Sequence, residues 1–200
     1  MQLGNPNLGA RGTGTAGVRG SRMSAPDIRG FTLTELMVVI GVLAILLAIA
    51  APSFTGVINS NRLATQANEV VASLQLARSE AIRRNARVIV CRSIDGTACV
   101  TASGQGEWIT FIDADGSGTA QAAEILRVSS ISPPVLVSNL VDRITFRPNG
   151  VATDAAGALL ATTITVCLPT TQPADNQRAV NLASGSRVST EAVNGAGACP

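Results

Sequence analysis

The sequence predicts an α+β fold: a long N-terminal helix, its first half membrane-spanning, packed on a mainly antiparallel β-sheet head. Three observations predict it. Residues 36–51 form an apolar run in which nothing is more polar than Gly41. An amphipathic repeat carries on from there to about Arg84, and beyond Asn85 the pattern changes to short β-rich runs of period two between turn residues.

Residues 1–30 read as a leader peptide. The first 22 are rich in Gly, Ser, Thr and Arg, lack apolar periodicity and are set aside from fold reasoning, with Met23 as the expected true start. Residues 31–51 number 21, and at about 1.5 Å per residue they reach roughly 30 Å, one bilayer core. Arg22 and Arg29 precede the run and no basic residue follows until Arg62, so the N-terminus belongs in the cytoplasm and the bulk of the chain outside. A secretory signal has its cleavage site after the apolar core. Here the small residue, Gly30, stands before it, and one carboxylate, Glu35, lies inside the stretch. An ionised carboxylate in lipid costs at least about 2.5 kcal/mol on insertion scales, so Glu35 needs a partner.

Residues 52–85 continue the helix as an amphipathic one. Phe54, Val57, Ile58, Ala64, Ala67, Val70, Val71, Leu74, Ala77 and Ala81 make one stripe, with Arg62, Gln66, Glu69 and Ser73 mostly on the other side. Pro52 costs the helix a backbone bond and adds a ring clash, which predicts a kink. Residues 86–200 form the head. Strands are expected at 88–92, 108–112, 125–129, 135–137, 143–147, 162–167, 179–182 and 187–189, with Pro148-Asn149-Gly150 and Ala183-Ser184-Gly185-Ser186 among the turns. Short connections make the sheets largely antiparallel.

Composition removes several function classes. The chain has no histidine, which excludes Ser-His-Asp and Cys-His catalysis, His-containing zinc sites and His-based pH switching. Asp113 and Asp115 could do acid-base work, but nothing marks a cleft around them, and no Gly-rich phosphate loop occurs; the chain is not expected to be an enzyme. Four of the 15 basic residues and one of the 13 acids precede Phe31, so the remainder carries 11 Arg against 12 acids, and its bulk charge does not favour nucleic acid.

Cys91, Cys99, Cys167 and Cys199 fall in the exported region, where disulfides persist. Three connectivities exist; Cys91 with Cys99 would staple a short loop and Cys167 with Cys199 would tie down the C-terminal segment. Zinc on the four thiolates is the rival reading, weakened by the lack of any C-x2-C pair. The run from Asp113 to Glu124 places oxygen ligands at loop positions 1, 3 and 5, Gly at 6 and Glu at 12, the pattern of a calcium-binding EF-hand loop. Asp113, Asp115, Ser117 and Glu124 would be side-chain ligands for Ca2+, with Thr119 giving its carbonyl. Ala120 stands where a larger anchor is usual and the incoming segment reads as strand, so a polar hairpin is the other reading.

The string Arg29-Gly30-Phe31-Thr32-Leu33-Thr34-Glu35-Leu36-Met37-Val38-Val39-Ile40 resembles the class III signal of type IV pilins and pseudopilins. The resemblance implies that a prepilin peptidase cuts between Gly30 and Phe31, that Phe31 is N-methylated, and that Glu35 pairs with the N-terminal amine of a neighbouring subunit during assembly. It also implies a pilin-like fold, and many such proteins carry a kinking proline where Pro52 stands. In the head, residues 78–85, 108–116 and 144–150 resemble the GspH/FimT group of minor pilins and minor pseudopilins.

That likeness implies a structural subunit that helps prime or cap assembly of a type IV pilus. The alternative is a minor pseudopilin, H type, of a type II protein secretion system. Implied partners are other pilins or pseudopilins, the prepilin peptidase and an inner-membrane assembly platform. The implied location is the bacterial inner membrane, single-pass with a periplasmic head, and then the filament. Some FimT-like pilins take part in natural transformation through an Arg-containing C-terminal loop, which points to Arg178 and Arg187 as candidates for DNA. Two solvated strand-edge arginines are the plainer reading of that pair.

Overall fold

The computed structural model describes residues 30–101, 106–139 and 141–200, and of residues 49–53 the backbone only. The leader through Arg29, Met23 included, lies outside the described residues. So does the side chain of Pro52, although Pro52 sits within helix α1, Leu33–Arg84. Among the described residues no helix is long and apolar enough to cross a membrane.

The chain forms two compact units, one ending at Leu43 and one of Ala44–Pro200. In the first, Thr32 caps α1: its hydroxyl accepts from the Glu35 N–H at 3.2 Å, and its carbonyl accepts from Leu36. Every described side chain from 31 to 48 is exposed, Phe31 to 81% and Leu33 to 75%.

In the second unit α1 ends in a Schellman turn. Asn85 takes a left-handed φ of 51°, Ala86 N–H bonds the Ala81 carbonyl and Asn85 N–H bonds that of Ile82. Arg83 and Arg84 in the last turn suit the negative end of the helix dipole, and both bridge to Glu80.

The strands are β1 (Arg87–Ser93), β2 (Glu107–Asp113), β3 (Ile125–Ser130), β4 (Leu136–Ser138), β5 (Arg143–Phe146), β6 (Ala152–Thr153), β7 (Thr162–Cys167), β8 (Gln177–Leu182) and β9 (Val188–Val193). They build a five-stranded sheet, β3-β2-β1-β5-β6, and a four-stranded sheet, β4-β7-β8-β9. Every pairing is antiparallel, as short connections require. The expected strands all appear; β6, only two residues long, has no period to betray it.

Leu63, Ala67, Val70, Leu74, Ala77 and Ala81 recur every three or four residues and bury one helix face. They meet Val88, Val90, Trp108, Ile144 and Phe146 of one sheet and Ile164, Val166, Val180 and Leu182 of the other. Strand alternation sends Ile89, Cys91, Ile109 and Phe111 to the opposite face of the five-stranded sheet, where Cys99, Ala120 and Ile125 cover them.

Two expectations need correction. Phe54, Val57 and Ile58, assigned to the buried stripe, are half or more exposed, because the head's core starts at Leu63 and offers them nothing to pack on. Gln66 and Ser73, assigned to the solvated side, are buried. Their polar groups are satisfied by the five-stranded sheet and the segment after it: Gln66 donates to the Ser130 carbonyl of β3 and accepts from the Ser132 N–H, and Ser73 accepts from Nε1 of Trp108 in β2 at 2.8 Å.

Candidate functional site

Thr32-Leu33-Thr34-Glu35 has the spacing of a helix start, a Thr cap with Glu at the third helical position. The cap fixes Glu35 in the first turn, where a negative charge is favoured by the helix dipole. Beside it lie Gly30 and Phe31, outside the helix. Among the described residues no hydrogen bond or ion pair engages the Glu35 carboxylate. A lone acid on a bare apolar helix is chemically a receptor for a cation, since removing both charges from water together costs far less than removing one. The capping role of Thr32 is not among the sequence expectations, although the T-x-x-E spacing carries it.

The structure pairs the cysteines as Cys91–Cys99 and Cys167–Cys199, with Cα separations of 5.6 and 5.7 Å. The first bridge closes the outer cluster over β1. The second anchors the C-terminal segment, which the Asn176 and Gln177 amides also hold by donating to the Ala198 carbonyl. With all four sulfurs bonded, the rival zinc site has no thiolates.

The residues expected to gather around calcium have other partners. Asp113 is buried; one carboxylate oxygen faces Arg87 Nη2 at 3.0 Å and the other accepts from the Gly118 N–H at 2.9 Å. Asp115 accepts from the Ser117 N–H and from the Gln121 amide. The N–H of Ser117, then its hydroxyl, hold the Asp115 carboxyl below its usual range. Ser117 and Thr119 share a hydroxyl contact at 2.9 Å, and Glu124 reaches back to the Ala114 N–H. Among the described residues no three Asp, Glu or Cys side chains stand together as a metal would need. The segment is a hairpin built on Asx-turn hydrogen bonds, linking β2 to β3.

Arg178 and Arg187 do not converge. The β8–β9 register sets Arg178 opposite Ala192 and Leu182 opposite Val188, so the two arginines belong to opposite ends of the hairpin. Arg178 is also tied inward, donating to the Asp175 and Gln177 carbonyls and to the Ser60 hydroxyl.

The family model for the type II transport protein GspH matches residues 66–186, and a prokaryotic N-terminal methylation motif matches residues 26–51. The pilin-like protein PilA1 of Thermus thermophilus is 39% identical over 87 residues, 42% of this chain and 48% of that protein. The chain thus spans about half the length of the curated relative it matches. The minor pilin FimU of Pseudomonas aeruginosa shares 21% identity over 66% of this chain and 90% of its own, with a TM-score of 0.49. The minor pseudopilin EpsH of Vibrio cholerae shares 13% over 66% and 97%, with a TM-score of 0.47. With its methylation motif at the start of the helix and the GspH match running across helix and both sheets, the chain belongs to the GspH family of pilin-like subunits.

Proposed function

We propose that the chain is a minor pilin-like structural subunit that helps prime or cap a type IV pilus. In this reading it is cut between Gly30 and Phe31, methylated at the new Phe31 amine, and held in the inner membrane by residues 31–51 with its head in the periplasm until it joins the filament. The observation that carries the reading is the start of α1, where the described apolar side chains of residues 31–48 are all exposed and a single carboxylate, Glu35, stands in the first turn beside a glycine junction. Such a surface leaves water either into a bilayer or against other helices of its kind. Glu35 makes the second route selective. Alone in an apolar medium it is costly, and a neighbouring subunit's N-terminal ammonium neutralises it.

The partners are other pilins or pseudopilins, the prepilin peptidase and an inner-membrane assembly platform. The similarity to a pilin-like protein supports the pilus. A second reading, a minor pseudopilin of a type II secretion system, is favoured by the family's description as a transport protein. Deleting the gene separates them, since loss of surface pili with secretion intact supports the first and the reverse supports the second. Glu35→Ala tests the shared mechanism: the variant is expected to be cut after Gly30 like the parent yet to be missing from sheared filaments. Recovery in parental amounts would refute the role of Glu35.

A further inference from the structure

We propose that the outer face of the five-stranded sheet holds a site for one tetrahedral oxyanion, a phosphate or sulfate group, gripped by Arg87, Arg143 and Arg147. The site goes beyond the filament reading and rests on none of its residues. Strand alternation builds it. In β1, Val88 and Val90 face the core, which turns Arg87 and Ile89 outward; in β5, Ile144 and Phe146 face the core, which turns Arg143 and Thr145 outward. The register sets Ile89 opposite Thr145 and Cys91 opposite Arg143, so these outward residues share one surface, and Arg147 follows Thr145 by two. All three arginines line a single cavity of about 220 Å³.

The surrounding loops make room for the guanidinium groups. Gly116, Gly118 and Gly157 have φ of +76°, +70° and +84°. A Cβ on them would stand 2.6 Å from Arg87 Nη2, 2.7 Å from Arg143 Nη1 and 3.0 Å from Arg147 Nη2 respectively. Each arginine therefore ends over a glycine, in a space any side chain would fill.

Charge then asks for an anion. Arg87 is partly committed to Asp113, and Arg147 Nη2 donates to the Gly157 carbonyl at 2.7 Å. The Arg143 guanidinium has no hydrogen bond or ion pair among the described residues. Of the two carboxylates in the lining, Asp113 is spent on Arg87 and the Gly118 N–H, and Asp154 accepts from the Ala158 N–H. Three cations facing two engaged carboxylates leave a net positive cavity, and like charges on one sheet face repel until something bridges them. Each guanidinium offers five N–H donors in a planar fork that matches phosphate oxygens. The cavity is smaller than the roughly 300 to 1,000 Å³ of pockets for drug-sized ligands, which suits a phosphate or a simple ester better than a nucleotide.

The test is calorimetric titration of the full-length chain in detergent micelles with inorganic phosphate at constant ionic strength, repeated with glycerol 3-phosphate. The expected result is saturable binding near one phosphate per chain, weakened at least about tenfold by Arg143→Gln, which loses a charge-assisted fork, and unchanged by Arg62→Gln, a helix arginine outside the cavity. Glycerol 3-phosphate binding more tightly than phosphate would support an ester as the ligand; binding no tighter would support the free ion. Gly118→Ala keeps every charge and displaces the Arg143 guanidinium, so it is expected to lose phosphate too. The proposal is overturned by a parent chain that does not bind phosphate saturably, or by binding that survives both Arg143→Gln and Gly118→Ala.

Discussion

Ser73 joins helix to sheet through one hydroxyl, which accepts from Trp108 Nε1 at 2.8 Å, donates to the Glu69 carbonyl at 3.0 Å and lies 3.3 Å from the Ser129 hydroxyl. Trp108 is 2% exposed, so Ser73→Ala leaves a buried indole N–H with no acceptor. The expected cost is about 1 to 3 kcal/mol, read by denaturant unfolding of the disulfide-intact chain, and a change near zero would show that the serine is idle. Next to it Glu69 binds Ser129 at 2.8 Å and Arg127 at 2.6 Å. Burial pushes the Glu69 carboxyl up, but the Ser129 hydroxyl and the Arg127 charge together bring it below its usual value. A depressed carboxylate stabilises the fold fully above the unfolded value of 4.5, and this contribution is lost as pH falls through the lower folded value. Glu69→Gln should therefore lower stability modestly at pH 7 and flatten its fall below about pH 4.5; an unchanged acid limb would contradict the assignment. These residues also mark where sequence pattern fails. Periodicity sorts a serine and a glutamine outward, and only the tertiary partners of Ser73 and Gln66 reveal them as satisfied core groups.

Among the elements, β7 at 162–167 was readable to the residue, because a β-branched run between turn clusters has few other conformations open to it. The end of α1 was equally readable, with basic residues in the last turn and Asn85 just beyond. The 113–124 segment was readable as a hairpin but not in its partners: Asp113 faces Arg87 and Asp115 accepts from the turn's own N–H groups, and a cross-strand arginine is invisible in a local motif. The Arg143-x-Thr145-x-Arg147 alternation was likewise present but unread, since only the β1–β5 register brings Arg87 to the same face. The two disulfides differ in span, 8 residues for Cys91–Cys99 and 32 for Cys167–Cys199. In the chain-entropy account, each is worth about 2 to 4 kcal/mol, the longer about 1 kcal/mol more. Paired substitutions to Ser should lower Tm more for the Cys167–Cys199 bridge; the opposite order would mean that covering the outer cluster outweighs loop length.

At the scale of the whole molecule, the chain separates two tasks along its length. The head buries its own apolar surface, with a core between one helix face and two sheets and two covalent staples. The first part of α1 does not: the described apolar side chains of residues 31–48 are bare, and the one acid there, Glu35, lacks a counter-charge among the described residues. That contrast was legible in the sequence, because it depends on composition and order along the chain. The measurement that tests the central claim most directly is mass spectrometry of the chain's N-terminus from cells with and without the prepilin peptidase. The account predicts a chain beginning at methylated Phe31 when the peptidase is present and an uncut chain when it is absent. A chain left uncut in both strains, or cut beyond the apolar run as by a signal peptidase, would contradict it.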